Sequence, residues 1–167
     1  PYTVDANILT PGTAQYFPGA VTVTASNATL KTATSGTATA GSVNFASTVT
    51  GSGAQNLIIN TPTIVAPSAI SNLASLAVVT NASANKWTMT GTNAGNIAPS
   101  SGGSSFITFS SIPNVIGAGS DTLIGNNSAH TWTISGSNAG SIASFLTAFS
   151  GMNILTGGTA IDTFAFN

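Results

Sequence analysis

The sequence predicts an all-β chain, a parallel β-helix (β-solenoid) with an antiparallel, pilin-like β-sandwich as the alternative. Three observations carry this: a long internal repeat, short alternating runs rich in Val and Thr, and a near absence of charge. The repeat is the strongest. Trp87-Thr88-Met89-Thr90-Gly91-Thr92-Asn93-Ala94-Gly95-Asn96-Ile97 returns 45 residues later as Trp132-Thr133-Ile134-Ser135-Gly136-Ser137-Asn138-Ala139-Gly140-Ser141-Ile142. The sequels also align: Asn114-Val115-Ile116, Gly119 and Asp121-Thr122-Leu123 answer to Asn153-Ile154-Leu155, Gly158 and Asp162-Thr163-Phe164. Half of that period, about 22 residues, matches one solenoid rung and gives roughly seven rungs for the whole chain. Near-identical repeats favour units stacked on one another over a sandwich.

Taken in order, residues 1–20 hold three prolines (Pro1, Pro11 and Pro18), both tyrosines and no alternation. They are expected as an N-terminal cap, an arm or the lead-in from a longer chain, and residues 21–167 as the β-solenoid repeat domain. From Val21 to about Asn60 the texture changes to Val21-Thr22-Val23-Thr24, Leu30 through Thr34, Gly36 through Ala40, Val43-Asn44-Phe45 and Leu57-Ile58-Ile59. Gly, Ser and Asn bound each run, and β-branched residues suit a pleated surface, so these are predicted strands. The long repeats occupy about 86–130 and 131–167. Two stretches favour a helical turn on local spacing: Ile70, Leu73 and Leu76-Ala77, and the fuller set Ile142, Phe145, Leu146 and Phe149. An Asn precedes an aliphatic residue at Asn56, Asn72, Asn114 and Asn153. Stacked amides at rung boundaries would explain that recurrence, and simple turn preference would explain any one of them.

Five residues are charged: Asp5, Lys31, Lys86, Asp121 and Asp162. At 3% charged and 42% hydrophobic, the chain is too apolar for disorder, and it contains no run of about 18 apolar residues to span a bilayer. Two basic residues cannot track a phosphate backbone or an anionic membrane, so nucleic acid and membrane insertion are not expected as partners. Cysteine is absent, which is compatible with a long-lived extracellular protein. The start at Pro1 is expected to mark a processed or excised piece.

Chemistry-bearing candidates are few. Gly117-Ala118-Gly119-Ser120-Asp121 and Gly157-Gly158-Thr159-Ala160-Ile161-Asp162 approach the glycine–aspartate nonapeptide that winds around calcium. They lie 41 residues apart with one carboxylate each, however, and calcium wants six to eight oxygens. A turn capped by its own aspartate is the expected role, and no metal or cofactor is assigned. Asp121 and Asp162 could approach a glycosidase spacing only if the repeats stack with that face aligned, and neither has a second acid or a cation nearby in sequence. His130 has no identifiable nucleophile beside it. No catalytic residue is assigned, and the chain is not expected to be an enzyme. Trp87 and Trp132 fill the core if they point inward, the favoured reading, or form a platform for sugar rings if they point outward. The pairs Thr22/Thr24, Thr32/Thr34, Thr37/Thr39 and Thr88/Thr90 each put two hydroxyls on one side of a strand, superficially as in ice-binding solenoids.

The Trp-Thr-Ile-Ser-Gly-Ser-Asn-Ala-Gly string at 132–140, with Asn153-Ile154-Leu155-Thr156-Gly157-Gly158 and Asp162-Thr163-Phe164, resembles repeats of bacterial surface exoproteins of the filamentous-haemagglutinin type. The segment from Val43 to Ile59 is similar to their neighbouring rungs. The resemblance implies a right-handed parallel β-helix, export to the cell surface, and a part in adhesion or filament building; it carries over no catalytic residue. The expectation is therefore a secreted, structural or adhesive surface protein, either a stalk segment or a self-assembling filament subunit. Ice-binding or glycan-binding solenoids are the alternatives. Expected partners are another copy, the continuation of a longer chain, or a host or matrix glycan. The run Asp162-Thr163-Phe164-Ala165-Phe166 has one charge and no proline, so it is expected to leave an unprotected strand edge.

Overall fold

The computed structural model describes residues 1–32, 41–64, 68–79 and 84–167. The chain is all-β, with no helix among the described residues. The first ten strands are β1 (Tyr2–Val4), β2 (Ile8–Leu9), β3 (Gln15–Phe17), β4 (Val21–Val23), β5 (Asn27–Lys31), β6 (Val43–Phe45), β7 (Val49–Thr50), β8 (Asn56–Asn60), β9 (Ser68–Ser71) and β10 (Ser75–Val79). Eight follow: β11 (Asn85–Gly91), β12 (Ala94–Pro99), β13 (Ile107–Ser110), β14 (Asn114–Ile124), β15 (Thr131–Gly136), β16 (Ala139–Ile142), β17 (Leu146–Thr156) and β18 (Thr163–Phe166).

Parallel pairing dominates, and it runs in ladders. The first ladder is β1, β4, β7, β9 and β13; it sets Tyr2, Val21, Val49, Ile70 and Phe109 in one column. The second is β2, β5, β8, β10, β14 and β17, with Ala28, Leu57, Leu76, Val115 and Phe149 in register. A third, shorter ladder joins β3 to β6, and Val43 bridges on to Ile64. The chain visits them in constant order: β1, β2, β3, then β4, β5, β6, then β7, β8 and Ile64. The first two ladders belong to one 16-stranded sheet, which does not close on itself; β3 and β6 form a separate pair.

Alternation explains why these residues make these strands. Val21-Thr22-Val23 and Val43-Asn44-Phe45 bury their first and third side chains and leave the middle one at least partly exposed. In β8, Leu57 and Ile59 are wholly buried while Ile58 points out. Burying each such side chain contributes about 1.5–3 kcal/mol, and the register makes the contribution continuous from one strand to the next. The columns end in a single core cluster that also takes in Trp87, Trp132, Phe109 and Phe149.

Polar residues stack as well. Asn27, Asn56, Ser75 and Asn114 occupy one column of the second ladder. There Asn56 Nδ2 donates to Asn27 Oδ1 at 2.8 Å, and Ser75 Oγ donates to Asn56 Oδ1 at 2.7 Å. Two of the four recurrent asparagines, Asn56 and Asn114, thus belong to a ladder. Asn72 instead makes a turn with φ of 60°, and Asn153 is exposed. Thr32 and Thr61, both buried, close on the Gly41 carbonyl at 2.6 and 3.0 Å and on each other at 2.8 Å.

Both helical expectations are corrected. Ile142 ends β16, Phe145 sits in the turn, and Leu146 and Phe149 lie on β17. All four are buried, so their i, i+3, i+4, i+7 spacing arises from a strand–turn–strand path around the core. Ile70 and Leu76 likewise belong to separate strands, with Leu73 buried in the turn between them. The proline-bearing residues 1–20 supply β1, β2 and β3, the first strand of each ladder. The Gly36–Ala40 run, Thr34, Thr37 and Thr39 lie outside the described residues.

Candidate functional site

The two long repeats fold as two modules with the same internal plan. In the first, β11 turns back into β12 with Trp87 opposite Ile97, β12 pairs antiparallel with β13 with Gly95 opposite Phe109, and β14 returns parallel to β11 with Leu123 opposite Trp87. In the second, Trp132 faces Ile142, Gly140 faces Phe149, and β18 returns parallel to β15 with Phe164 opposite Trp132. The hairpin turns place Asn93 and Asn138 at φ of 53° and 59°, the left-handed region that Asn tolerates better than most residues.

Small residues are required where the layers touch. A β-carbon on Gly95 would overlap the Thr88 carbonyl oxygen and the Phe109 ring; on Gly140 it would overlap the Thr133 carbonyl and the Phe149 ring. Those rings meet the indoles edge-on, Phe109 at 5.9 Å from Trp87 and Phe149 at 6.1 Å from Trp132. Both tryptophans are fully buried. The inward reading of Trp87 and Trp132 therefore describes the structure, and an indole platform for sugar is not on the surface.

Each module is closed by its aspartate. The Asp121 carboxylate, wholly buried, accepts hydrogen bonds from Trp87 Nε1 at 2.9 Å, Asn85 N at 2.7 Å, Asn85 Nδ2 at 3.3 Å and Ala118 N at 3.2 Å. Asp162, half-buried, accepts from Trp132 Nε1 at 3.3 Å, His130 N at 3.0 Å and Gly158 N at 3.0 Å. The bonds from Ala118 and Gly158 are the turn caps expected of the glycine–aspartate motifs. The bonds to the indoles were not expected. They join residues 34 and 30 positions apart, too far for any local pattern. A clue lay in the aligned Asp-Thr-Leu and Asp-Thr-Phe triplets, whose third members are the residues paired with Trp87 and Trp132.

Chemically, the two carboxylates are hydrogen-bond hubs, each accepting from an indole N–H and from backbone N–H groups. The structure does not bring them together: Asp121 stands opposite Met152 in the β14–β17 ladder, and Asp162 precedes β18, which pairs with β15. The His130 ring stacks on Phe145 with centroids 4.2 Å apart, and its Nε2 lies 2.7 Å from Asn126 Oδ1. Among the described residues, no three acidic or histidine side chains converge as metal ligands would, and no helix is long and apolar enough to cross a membrane.

Two surfaces remain. On the first ladder, Thr3, Thr22, Thr50, Ser71 and Ser110 form one outward column, with Ser71 Oγ 3.5 Å from Thr50 Oγ1. Of the expected threonine pairs, only Thr22 among the described residues joins that column; Thr32 is internal. At the far end, a cleft of about 410 Å³ opens between β15–β16, β17 and β18. Ile134, Met152, Leu155, Phe164 and Phe166 wall it, with Asn138 and Asn153 as its polar members. Phe166 is 79% exposed, and Phe164 stacks on Trp132 at 5.3 Å. No protein-family model, no curated protein and no solved structure matches the chain.

Proposed function

We propose that this chain is a non-enzymatic building element of an extended surface protein, a parallel β-solenoid that serves as a stalk segment or filament subunit outside the cell. The observation that carries the reading is the second ladder, six successive strands from β2 to β17 that all pair in parallel. It passes from the irregular first half into the repeat modules without interruption. A body built this way lengthens by adding strands, each at about 4.8 Å, without widening. An uncharged face of Thr, Ser and Asn supplies many weak contacts to a matrix or glycan, and both repeat aspartates are engaged by N–H donors within the fold. The resemblance of the repeats to bacterial exoproteins of the filamentous-haemagglutinin type points in the same direction.

Electron microscopy of two copies joined in tandem tests the reading. Rods twice as long as the single chain at equal width are expected. A tandem that doubles in volume by widening would overturn it.

The outward hydroxyl column from Thr3 to Ser110 favours a second reading, ordering of water at an ice surface. Thermal hysteresis of the purified chain is its test, and freezing and melting points that coincide would remove it.

A further inference from the structure

Strand β18 is the counterpart of the second half of β14, yet their edges differ. Residues 122–124 of β14 pair with β11 on one side and with β17 on the other. Among the described residues, strand β18 pairs with β15 alone. Thr163 N donates to His130 O at 2.9 Å and Asn167 N donates to Ile134 O at 3.0 Å. In a parallel ladder, alternate residues turn their amide groups to opposite sides, so the N–H and C=O of Phe164 and Phe166 face the open edge. At the other end of the molecule, β1 pairs only with β4 among the described residues. Tyr2 N donates to Ala20 O at 2.7 Å, and Val4 O accepts from Thr24 N at 2.9 Å. The N–H and C=O of Thr3 therefore face the open edge of β1.

These two edges fit each other. We infer that β1 of a second copy adds in parallel to β18, with Thr3 opposite Ala165, Tyr2 opposite Phe164 and Val4 opposite Phe166. In that register Thr3 N donates to Phe164 O, and Phe166 N donates to Thr3 O, so both free backbone groups of Thr3 are used. The side chains agree with the same phase. Tyr2 and Val4 align with Val21 and Val23 of the first ladder, and Phe164 and Phe166 align with Trp132 and Ile134. Tyr2, 43% exposed, and Phe166, 79% exposed, are then both covered, and Tyr2 lies over the rim of the apolar cleft. A slip of one residue would break both matches together. Neither edge strand carries a charge or a proline, the devices that normally block such pairing, and a net charge of −1 opposes contact only weakly.

This contact deepens the filament form of the proposed function and rests on that reading. The test is sedimentation of the full chain over a concentration series, beside Thr3→Pro. That substitution removes an N–H unused within its own chain, so the fold is retained, as the fluorescence of Trp87 and Trp132 will report. Head-to-tail association is expected, weakened about tenfold or more by Thr3→Pro, which deletes a hydrogen bond and adds a clash at the edge. Because the chain has no cysteine, Thr3→Cys and Ala165→Cys made in separate copies should cross-link to each other and not to themselves. A wild-type chain that stays monomeric at millimolar concentration, or a Thr3→Pro chain that associates undiminished, overturns the contact. A chain that stays monomeric yet is elongated at constant width in small-angle scattering would overturn this contact and leave the solenoid reading standing.

Discussion

In the first module the strand that carries Asp121 and Leu123 has neighbours on both edges; in the second, the strand that carries Phe164 has one. The parts are otherwise the same: a tryptophan strand, a glycine strand, a phenylalanine strand and an aspartate that binds the indole. Enclosure is what differs. Asp121 and Leu123 are completely buried, whereas Asp162 is half-buried and Phe164 is 38% exposed. A near-duplicate inside one chain separates what the motif contributes by itself from what its surroundings add.

The aspartates should show the widest gap. Asp121→Ala removes the acceptor of the Trp87 indole N–H from a dry interior, together with the carboxylate bonds to Asn85, at an expected loss of about 3–5 kcal/mol. Asp162→Ala lets water reach the same groups and should cost about 1–2 kcal/mol. Denaturant unfolding of the two variants measures the difference, and equal losses would remove enclosure as its cause.

Next come the residues that pair with the tryptophans. Leu123→Ala opens a cavity between three strands and should cost about 2–4 kcal/mol. Phe164→Ala removes one stacked, partly exposed ring and should cost about 1 kcal/mol. In single-tryptophan versions, acrylamide quenching of Trp132 should rise with Phe164→Ala while that of Trp87 stays unchanged. Increased quenching of both would mean that the modules do not respond separately.

The smallest contrast is expected at the hairpin glycines. Gly95→Ala and Gly140→Ala meet the same carbonyl and the same ring within their own modules, so each should cost about 1–3 kcal/mol and the two should nearly match. A large inequality would show that the layer contacts extend beyond the module.

How much of this was legible depended on the range of the interaction. Val21-Thr22-Val23 and Leu57-Ile58-Ile59 announce themselves as strands because alternation is a property of neighbouring residues. The two modules were visible as a repeat, down to the triplets that end in Leu123 and Phe164. The indole–carboxylate bonds were not visible, because Trp87 and Asp121 come together only once the two intervening strands, β12 and β13, have folded. The helical spacing of Ile142, Phe145, Leu146 and Phe149 misled because a tight turn, with Ser144 at φ of 57°, brings successive strand residues to the core at intervals that mimic a helix. Residues 1–20 concealed their strands for another reason: Pro1, Pro11 and Pro18 all fall just outside β1, β2 and β3, where a missing N–H costs nothing.

The Trp–Asp bonds have a mechanical meaning as well. A stacked β fold pulled by its ends can peel one strand at a time, each giving way at small force. Asp162 bound to Trp132, and Asp121 bound to Trp87, close loops of 30 and 34 residues, and peeling must rupture such a clasp before the loop behind it can extend. Each rupture would release about 100 Å of chain at about 3.4 Å per residue. Stretched under load, the molecule would lengthen in two discrete steps, the outer clasp yielding first and the enclosed one holding to higher force.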